Sequence, residues 1–325
     1  MFETIISFEN LCAAWQEFVL GKMMKKDVAE FSLNLSRDLF ALHKDLKNKT
    51  YEHGAYHAFG ISDPKPREIH KATVRDRVLH HAIHRVLYPY FDRKFICDVY
   101  SSRDDKGTHR AMRRFLSFAR KVSKNNTRTC WVLKCDIRKF FASIDQTTLI
   151  RILERHIPER DTLWLFQKVI GSFESAPGKG LPLGNLTSQL FVNVYLNEFD
   201  KFMKHRLRER YYVRYADDFV ILSHDHVWLT NLLPQLSTFL QNHLRLALHP
   251  DKVSIDTLAS GIDFLGWVHF HDHRVLRTTT KRRMMKRVAV HPTSETIQSY
   301  MGLLRYGNTY GLQNAVIESV YRNPE

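Results

Sequence analysis

Residues 211–223 read YYVRYADDFVILS, and the interpretation of the whole chain starts from this stretch. Apolar segments flank the acidic dipeptide Asp217-Asp218, a pattern that indicates two strands joined by a tight turn. Adjacent carboxylates repel each other, and apolar surroundings raise that cost. A bound divalent cation would remove it, whereas an exposed turn is the simpler alternative because Asp favours turns. The dipeptide therefore needs a partner elsewhere in the chain.

Asp136 is the candidate partner. It closes the run Trp131–Cys135, in which alternating residues predict a strand. A carboxylate at a strand end can simply cap a following helix. If Asp136 instead meets the acidic turn, the three carboxylates could hold two metal ions. Such a pair of ions clamps the attacking and leaving oxygens of an in-line phosphoryl transfer.

The composition supports a polyanionic partner. The chain has 325 residues, 44% of them hydrophobic, which excludes a disordered protein and allows one domain or a few subdomains. Its 49 Lys and Arg against 34 Asp and Glu give a net charge of +15. Nucleic acid is the usual partner of such an excess, although a basic surface can also serve solubility alone.

The cysteines and the first residues bear on the compartment. No CxxC pair occurs, so we expect neither a zinc ribbon nor a redox motif. The N-terminal apolar run is interrupted by Glu3 and Glu9 and lacks a basic segment, so it does not read as a signal peptide. No run of about 18 apolar residues predicts a membrane span. We therefore expect a reducing, cytoplasmic location and no membrane partner.

The remaining pattern mixes helices with short strands. Apolar spacing predicts helices over residues 5–48, 74–95, 108–123, 146–157, 160–171 and 226–246, a long helix after the glycine-rich loop 178–184, and a helical tail after a basic stretch at 277–287. Short strands are predicted near 262–270. This order suits an α+β fold with an antiparallel sheet rather than a doubly wound parallel one.

Five motifs in order along the chain resemble those of reverse transcriptases. They are KCDIRKFF at 134–141, GLPLGNLTSQ at 180–189, YADD at 215–218, HPDK at 249–252 and FLG at 264–266. The resemblance covers residues from about 55 to about 310. It implies a right-hand polymerase with a ferredoxin- or RRM-like antiparallel palm, helical fingers and a short helical thumb. The implied divisions are fingers at 1–130, palm at 131–270 with a fingers-side insertion near 146–183, and thumb at 271–325.

The resemblance also implies the catalytic residues. Asp136, Asp217 and Asp218 would be the catalytic carboxylates, and with the backbone of Ile137 they would hold two Mg²⁺ ions, for which Mn²⁺ can substitute. Lys252 would be a general acid toward the departing pyrophosphate. An ordinary surface lysine is the alternative for that residue.

Further positions are implied to contact the substrates. The deoxynucleoside triphosphate would meet Lys65, Arg67, Lys139, Phe140, Phe141, Leu183 and Gly184, with the ring of Phe141 as a steric gate against a ribose 2′-hydroxyl. Gln189, Phe264, Leu265 and Gly266 would contact primer and template. The Gly-Gly turn usual between the two basic fingers residues is absent here, which weakens that match.

The middle motif departs from most of the family and suggests a subclass. Group II intron and retroviral relatives usually have Pro-Gln-Gly where this chain has Pro182-Leu183-Gly184. The string LPLGNLTSQLFVNVYLNEFD is similar to enzymes of diversity-generating retroelements, which copy template RNA with errors at adenines during retrohoming. A retron or phage-defence reverse transcriptase is the first alternative. A non-catalytic RNA-binding protein with a polymerase-like palm is an alternative of another class.

The subclass implies partners. They are template RNA, the RNA/cDNA duplex, deoxynucleoside triphosphates and a small basic accessory protein that assembles into a ring. It also implies a prokaryotic or phage-encoded enzyme.

Some further basic residues are expected to face nucleic acid because of their charge, without a family motif. We expect Arg75 and Arg77 to touch template backbone or to be solvated, and the trio His80, His81 and His84 to form a basic RNA-facing surface. The stretch Lys281–Arg287 is expected to follow a phosphate backbone. Asp145 is expected to cap a helix.

Overall fold

The computed structural model describes residues 1–61 and 66–321, with side chains to residue 318. The predicted dNTP-binding residue Lys65 lies outside the described residues. The helices are α1 (Phe2–Ile6), α2 (Phe8–Val19), α3 (Lys26–Leu33), α4 (Leu35–Lys47), α5 (Val74–Asp92), α6 (Thr108–Val122), α7 (Phe140–Ser143), α8 (Gln146–His156), α9 (Arg160–Ile170), α10 (Leu186–Lys201), α11 (His226–Leu244), α12 (Thr278–Val290), α13 (Ser294–Leu304) and α14 (Tyr310–Tyr321). The strands are β1 (His57–Ile61), β2 (Arg67–Lys71), β3 (Trp131–Asp136), β4 (Tyr212–Tyr215), β5 (Asp218–Ser223), β6 (Ser254–Thr257), β7 (Ile262–Phe264), β8 (Trp267–His269) and β9 (Arg274–Leu276).

A four-stranded antiparallel sheet in the order β4-β5-β3-β6 forms the centre. β3 pairs with β5 on one edge and with β6 on the other. Its alternating side chains enter two separate cores. Leu133 and Cys135 lie in the larger one, and Val132 lies in the smaller one with α6. The predicted α+β class with antiparallel pairing is confirmed.

Helices cover the two faces of this sheet unequally. The larger core joins β3 and β5 to α8–α11 and continues into α1, α2, α4 and α5. On the other face, Phe115 and Phe118 of α6 pack against Val213 and Val220. This arrangement places the β4–β5 turn and the end of β3 at one rim of the sheet, between α6, the first turn of α10 and the hairpin β1–β2.

The three-stranded sheet β7-β8-β9 and the last three helices form a third cluster. Trp267, Leu276, Met284, Leu304 and Val316 are its buried members, together with Met112 of α6 and Val288. Because β8 pairs with β9, the expected boundary between residues 270 and 271 falls inside this sheet. Ile262 and Phe264 of β7 lie in the smaller core, whereas Trp267 of β8 and Leu276 of β9 lie in the third cluster.

The expectation that α5 presents a basic, RNA-facing surface is wrong. His80 is 2% exposed, and burial lowers its pKa to about 3. Burial likewise lowers the pKa of His81 to about 4. Both imidazoles are therefore neutral near pH 7. His80 contacts Thr187 of α10 and His81 packs on Phe18 of α2, because α5 is a central helix with neighbours on several sides.

The two arginines at the start of α5 are also engaged within the protein. Arg75 pairs with Asp45 at 2.6 Å, and Arg77 forms an ion pair with Asp27. Each guanidinium also lies over an aromatic ring, Tyr51 and Phe18 respectively. They hold α3 and α4 against α5, so neither is the freely solvated side chain or the template contact expected from the sequence.

The structure confirms the predicted helix-capping role of Asp145. Its carboxylate accepts a 2.7 Å hydrogen bond from the Thr148 backbone N–H at the start of α8.

None of the described helices is both long enough and apolar enough to span a bilayer.

Candidate active site

The acidic dipeptide lies at a tight hairpin turn. Tyr215 pairs with Asp218, which leaves Ala216 and Asp217 as the two turn residues. Ala216 has φ +53°, so the first turn residue is left-handed, as in the type II′ turns that suit the twist of a hairpin. Glycine is the usual residue there, so an alanine stores strain at this point.

Asp136 meets the turn through strand register. Asp136 on β3 is the direct antiparallel partner of Asp218 on β5. Partner residues in such a pair have Cα atoms about 4.5–5.5 Å apart. The 80 residues between Asp136 and Asp217 therefore return the chain to the same rim of the sheet, as the sequence predicted. The catalytic roles of the three carboxylates stay predictions at this stage.

Lys252 is placed directly against Asp136. Its Nζ donates to Oδ1 of Asp136 at 2.8 Å. The preceding segment crosses the end of β3, where the His249 N–H donates to the Asp136 carbonyl at 2.8 Å and the Arg138 N–H to the Ala247 carbonyl at 2.9 Å. The backbone thus fixes the lysine at the carboxylate although its sequence position is 116 residues away.

Negative charge is crowded at the turn. Burial raises the pKa of the Asp217 carboxyl, and repulsion from Asp136 raises it further, while Lys252 and Arg67 act in the opposite direction. A carboxyl whose pKa is raised in this way favours protonation or a cation beside it. The electrostatics therefore match the reasoning that led from the dipeptide to a cation.

The carboxylates at the turn are suitable ligands for magnesium, although their side chains do not surround a common ion position. Within residues 1–61 and 66–321, no three Asp, Glu, His or Cys side chains are grouped so that they could hold an ion. The ammonium of Lys252 stands at the Asp136 oxygen instead. The raised pKa of Asp217 and the pairing of Asp136 with Asp218 fit a hard cation with oxygen ligands. The side chains must rotate before they could share one.

A cleft of about 670 Å³ opens in front of the turn. Ten of the residues predicted from the sequence line it, namely Arg67, Lys139, Phe140, Phe141, Leu183, Gly184, Gln189, Asp217, Asp218 and Leu265. They come from five separate parts of the chain. The fold therefore brings most of the predicted site to one place, while Asp136 and Lys252 lie beside Asp217 at the same rim.

Backbone strain is concentrated at this cleft. Of the eleven non-glycine residues with positive φ in the described chain, four line the cleft, namely Ser102, Lys139, Ala216 and Leu265. Each such residue costs about 1–3 kcal/mol, and such residues cluster where function requires them. This observation is independent of any motif and marks the same cleft as the candidate site.

The segment 183–185 attaches the hairpin β1–β2 to the cleft. The His70 N–H donates to the Leu183 carbonyl at 3.0 Å, and the Asn185 side-chain amide donates to the His70 carbonyl at 3.1 Å. Gly184 has φ +104°, and a Cβ there would lie 2.8 Å from Cγ2 of Ile69. Glycine is thus required for both conformation and close approach, and the contact holds Arg67 at the mouth of the cleft.

A fully buried ion pair supports the turn from behind, and the sequence reasoning missed it. Arg214 donates to both oxygens of Asp200 at 2.8 and 2.6 Å, and both side chains are 0% exposed. The same guanidinium donates to the Ala216 carbonyl at 3.0 Å and to Asn193 at 3.2 Å, and Asn193 donates to the Ser101 carbonyl. The signal was present as the polar residues Asn193, Asn197 and Asp200 among the apolar residues of α10.

A second buried network fixes the first turn of α10. The Nδ1 of His53 lies 2.7 Å from the Gly54 carbonyl and must donate to it. In neutral His53, Nε2 then accepts from Nε2 of His80 at 3.2 Å, and Nδ1 of His80 accepts from the Thr187 hydroxyl at 2.6 Å. This chain of hydrogen bonds ties α5 to the helix that begins the cleft wall.

Three of the predicted site residues have almost fully buried side chains. Ile137, Phe140 and Phe264 are 1%, 3% and 0% exposed, and they pack in the protein interior. Only their backbone groups could serve the predicted roles. Gly266 has φ +86° and completes the β7–β8 turn with Leu265, but does not line the cleft. Gln189 is exposed on α10, and Asn185 is the N-terminal cap residue of that helix.

The Lys252–Asp136 contact allows a test of whether Lys252 acts as a general acid or only as an ion-pair partner. We expect Lys252→Met to slow nucleotide addition by about 10²-fold, the lower end of the usual effect of losing a general acid. Lys252→Arg keeps a cation at Asp136, but arginine does not give up a proton. Similar losses in both variants, measured by single-turnover primer extension, are expected. Full rescue by arginine would reduce Lys252 to an ion-pair partner.

Comparison with known families agrees with this geometry. The family model for reverse transcriptase (RNA-dependent DNA polymerase) matches residues 61–269. That range contains all three carboxylates, Lys252 and the cleft-lining residues.

Individual relatives extend the comparison. Protein YkfC of Escherichia coli K12 is 26% identical over 270 residues, covering 71% of this chain and 68% of that protein. The group II intron-encoded protein LtrA of Lactococcus lactis is 24% identical, covering 68% of this chain and 47% of LtrA. The chain thus spans about half the length of LtrA.

Solved structures show the same fold at low sequence identity. Telomerase from Candida albicans, in complex with a fragment of telomeric RNA, superposes with a TM-score of 0.51 at 13% identity, covering 86% of this chain and 57% of that one. Apo telomerase from Candida tropicalis gives 0.51 at 10% identity, covering 68% and 48%.

Proposed function

This chain belongs to the reverse transcriptase (RNA-dependent DNA polymerase) family, and we propose that it copies an RNA template into cDNA from deoxynucleoside triphosphates. The observation that carries the proposal is the pairing of Asp136 with Asp218 at the rim of the cleft, beside Asp217. A protein that only binds RNA would have no need for three carboxylates, a lysine ammonium and a strained turn at the same rim of the sheet.

We assign the parts of a right-handed polymerase to this fold. The palm is the central sheet with its helices, within residues 131–261. The fingers are residues 1–130 with the insertion near 146–183. The thumb begins within the sheet β7–β9 rather than at residue 271, because Trp267 of β8 and Leu276 of β9 share one core with α12–α14. In this assignment the cleft lies where palm, fingers and thumb meet.

Asp136, Asp217, Asp218 and the Ile137 carbonyl would hold two Mg²⁺ ions, with Mn²⁺ as a substitute. The ions would supply charge neutralisation at the triphosphate and a more acidic primer hydroxyl. The protein prepares for this by crowding carboxylates at a half-buried turn, where burial and repulsion from Asp136 raise the pKa of Asp217 and favour a neighbouring cation.

The cleft residues suggest how the triphosphate is held. Arg67 is exposed at the mouth and suits a bidentate phosphate contact, and Lys139 contributes a second cation from the opposite wall. Lys252, held at Asp136, would give a proton to the departing pyrophosphate. Leu265 and Gln189 line the same cleft, and in this proposal they contact the primer and template strands.

Phe141 is proposed to exclude ribonucleotides. Its half-buried ring lines the cleft and packs edge-on against Phe140 at 5.6 Å, which limits its freedom to move aside. We expect Phe141→Val to lower the preference for dNTP over rNTP by about 10–100-fold, the range that steric fit in a pocket usually gives. The ratio of kcat/KM for the two nucleotides measures it, and an unchanged ratio contradicts the gate.

We further propose that the enzyme is error-prone and serves a diversity-generating retroelement, with a ring-forming accessory protein as partner. Leu183 carries the argument because it lines the cleft where most relatives are expected to have glutamine. A leucine has no hydrogen-bonding group, so the site would distinguish nucleotides by shape alone.

Leu183→Gln tests this proposal. A restored polar contact is worth about 1–3 kcal/mol of discrimination, so we expect misincorporation opposite template adenine to fall about 10-fold. Sequencing of cDNA copied from a defined RNA measures the error spectrum. Leu181→Met, at a buried position of the same segment, is the control and should leave the spectrum unchanged. Equal error rates in the Leu183 variant and the parent would overturn the fidelity argument.

Primer extension on an RNA template with Mg²⁺ tests the proposed activity itself. The expected product is full-length cDNA that depends on dNTPs, template and divalent ion. Binding of RNA without any extended product would instead identify a non-catalytic RNA-binding protein.

A further inference from the structure

A second basic feature lies outside the catalytic cleft, which we call the α6 groove. It is formed by two adjoining depressions of about 620 and 430 Å³, which share Leu116 and Arg120 of α6. The loops 271–274 and 305–308 form its other side. The cleft and the α6 groove share no lining residue.

The cations of the α6 groove are uncompensated. Arg113, Arg120, Lys121, Lys124 and Arg305 are all exposed, and none of them has an ion pair with any described residue. Elsewhere, arginines such as Arg75 and Arg103 are paired with acids. Holding like charges together without counterions destabilises a folded protein, so such a cluster indicates an anionic partner.

The crowded positive charges help to lower the pKa of two neighbouring side chains. Burial lowers the pKa of Arg274, and repulsion from Arg113 lowers it further. The pKa of His109 is lowered by burial and then by Arg274 and Arg113. The acidic residue in the lining, Asp272, is hydrogen-bonded to His273 rather than to any of the cations. The positive field of the groove is therefore directed at solvent.

The backbone at the end of α6 is strained in a way that serves the groove. Lys124, Asn125 and Asn126 follow one another with φ +49°, +55° and +68°. Hydrogen bonds from the Asn125 N–H to the Arg120 carbonyl and from the Asn126 N–H to Ser123 Oγ hold this turn. Left-handed non-glycine residues cost about 1–3 kcal/mol each and persist mainly at functional places. Here they bring Lys124 and Asn125 into the groove wall.

An aromatic platform lies in the same groove. The ring of Tyr306 is 42% exposed and stacks on His109, with centroids 3.5 Å apart and an interplanar angle of 17°. One face is thus supported from below while the ring remains accessible. Rings of this kind, beside a row of cations, are the elements that hold single-stranded nucleic acid.

The groove runs away from the catalytic rim. The first residue of α6, Thr108, donates a 3.2 Å hydrogen bond to Tyr215 beside the acidic turn. From Arg113 to Lys124 the helix and its last turn extend about 16 Å, at 1.5 Å per residue. That length matches about five phosphates at a 3.4 Å rise. A strand could leave the cleft region and continue along α6.

We propose that the α6 groove binds the phosphate backbone of an RNA strand that extends beyond the catalytic cleft. The inference rests on the proposed function, because the strand is the template or a structured RNA attached to it. A continuous row of cations with an exposed ring favours RNA over an acidic protein, which would not require a stacking surface. The site adds affinity and register without touching the reacting nucleotide.

The experiment compares two charge-matched triple variants. Arg120→Gln, Lys121→Gln and Lys124→Gln together neutralise the groove. Lys25→Gln, Lys44→Gln and Lys47→Gln remove the same charge from exposed residues of the N-terminal helices. Fluorescence anisotropy with a 40-nucleotide RNA is measured from about 50 to about 200 mM salt. We expect the groove variant to bind about 10–100-fold more weakly, with a log–log salt slope smaller by about 2 for three lost contacts. The control should keep the parental slope.

The outcomes separate this inference from the proposed function. Extension of a short primer–template that ends within the cleft should be unchanged in the groove variant. Equal RNA affinity and salt slope in the two triple variants would overturn the inference even if extension succeeds. Loss of polyglutamate binding without loss of RNA binding would assign the groove to an acidic protein instead. Absence of extension by the parent, with the groove effect intact, would overturn the polymerase proposal alone.

Discussion

Asp217→Asn is expected to lower the rate of nucleotide addition by at least about 10³-fold, equivalent to about 4 kcal/mol of transition-state stabilisation. The substitution keeps the size of the side chain but removes the charge that Asp136 and burial already crowd at the turn. Single-turnover primer extension measures the rate, and thermal unfolding confirms that the variant is folded. Because a neutral residue relieves repulsion at the turn, stability should be unchanged or slightly higher.

The chain supplies its own control for this experiment. Asp104-Asp105 is a second acidic dipeptide, exposed in the loop before α6, and neither residue lines the cleft. The double variant Asp104→Asn and Asp105→Asn removes even more charge and should retain the parental rate within about twofold, because screened surface charges contribute little. A similar loss in both variants would mean that general charge, rather than the turn, supports activity, and the assignment of Asp217 would be wrong.

The second large effect concerns stability. Arg214→Met leaves Asp200 as an uncompensated buried charge, and breaking such a pair usually costs about 3–5 kcal/mol. Guanidinium-induced unfolding of the purified protein measures it. The turn carbonyl of Ala216 loses its donor as well, so activity should fall more than the loss of folded protein alone explains.

Two comparisons make the stability test decisive. Arg155→Gln removes one partner of an exposed ion pair with Glu198 and should cost less than about 1 kcal/mol. Asp200→Leu combined with Arg214→Met removes both buried charges and should recover part of the loss, since apolar replacements of a buried pair are often well tolerated. A loss below about 1 kcal/mol for Arg214→Met alone would contradict the role given to this pair.

Local patterns predicted the elements of the fold well. The strand β3, the acidic turn and the main helices are confirmed, with boundaries shifted by a few residues, such as α5 ending at Asp92 rather than residue 95. Antiparallel pairing followed from the order of the elements. These features depend on neighbours within one strand or helix turn, which a sequence displays directly.

Long-range pairings of polar groups were less accessible. The histidines of α5 resembled a basic surface, but α1, α2 and α10 enclose them and exclude charge. Arg214 looked like one more cation of a basic protein, whereas its partner Asp200 lies 14 residues earlier on another element. Whether a charged side chain faces solvent or a partner depends on packing that no local pattern records.

At the cleft, too, the motifs predicted which residues come together, but not which side chains the packing buries. The motifs placed Arg67, Phe141, Leu183 and Asp217 near one another, and the structure brings them to one cleft. Phe264 belonged to an equally good motif, but its side chain is 0% exposed because the smaller core needs it. Ser102 had no motif, and only its left-handed backbone at the cleft identifies it.

The position of β3 at the middle of the central sheet has a consequence for biosynthesis. Both of its partners, β5 and β6, follow it in the chain, and β6 ends at Thr257. At about 5–20 residues per second, a ribosome would need roughly 6–24 s after making Asp136 to supply the last of them. Both edges of this apolar strand are open until β5 is made, and one stays open until β6 is made, which is a recognised hazard for aggregation. The nascent polymerase is therefore a natural client for chaperones, and fragments that stop before the acidic hairpin should accumulate poorly.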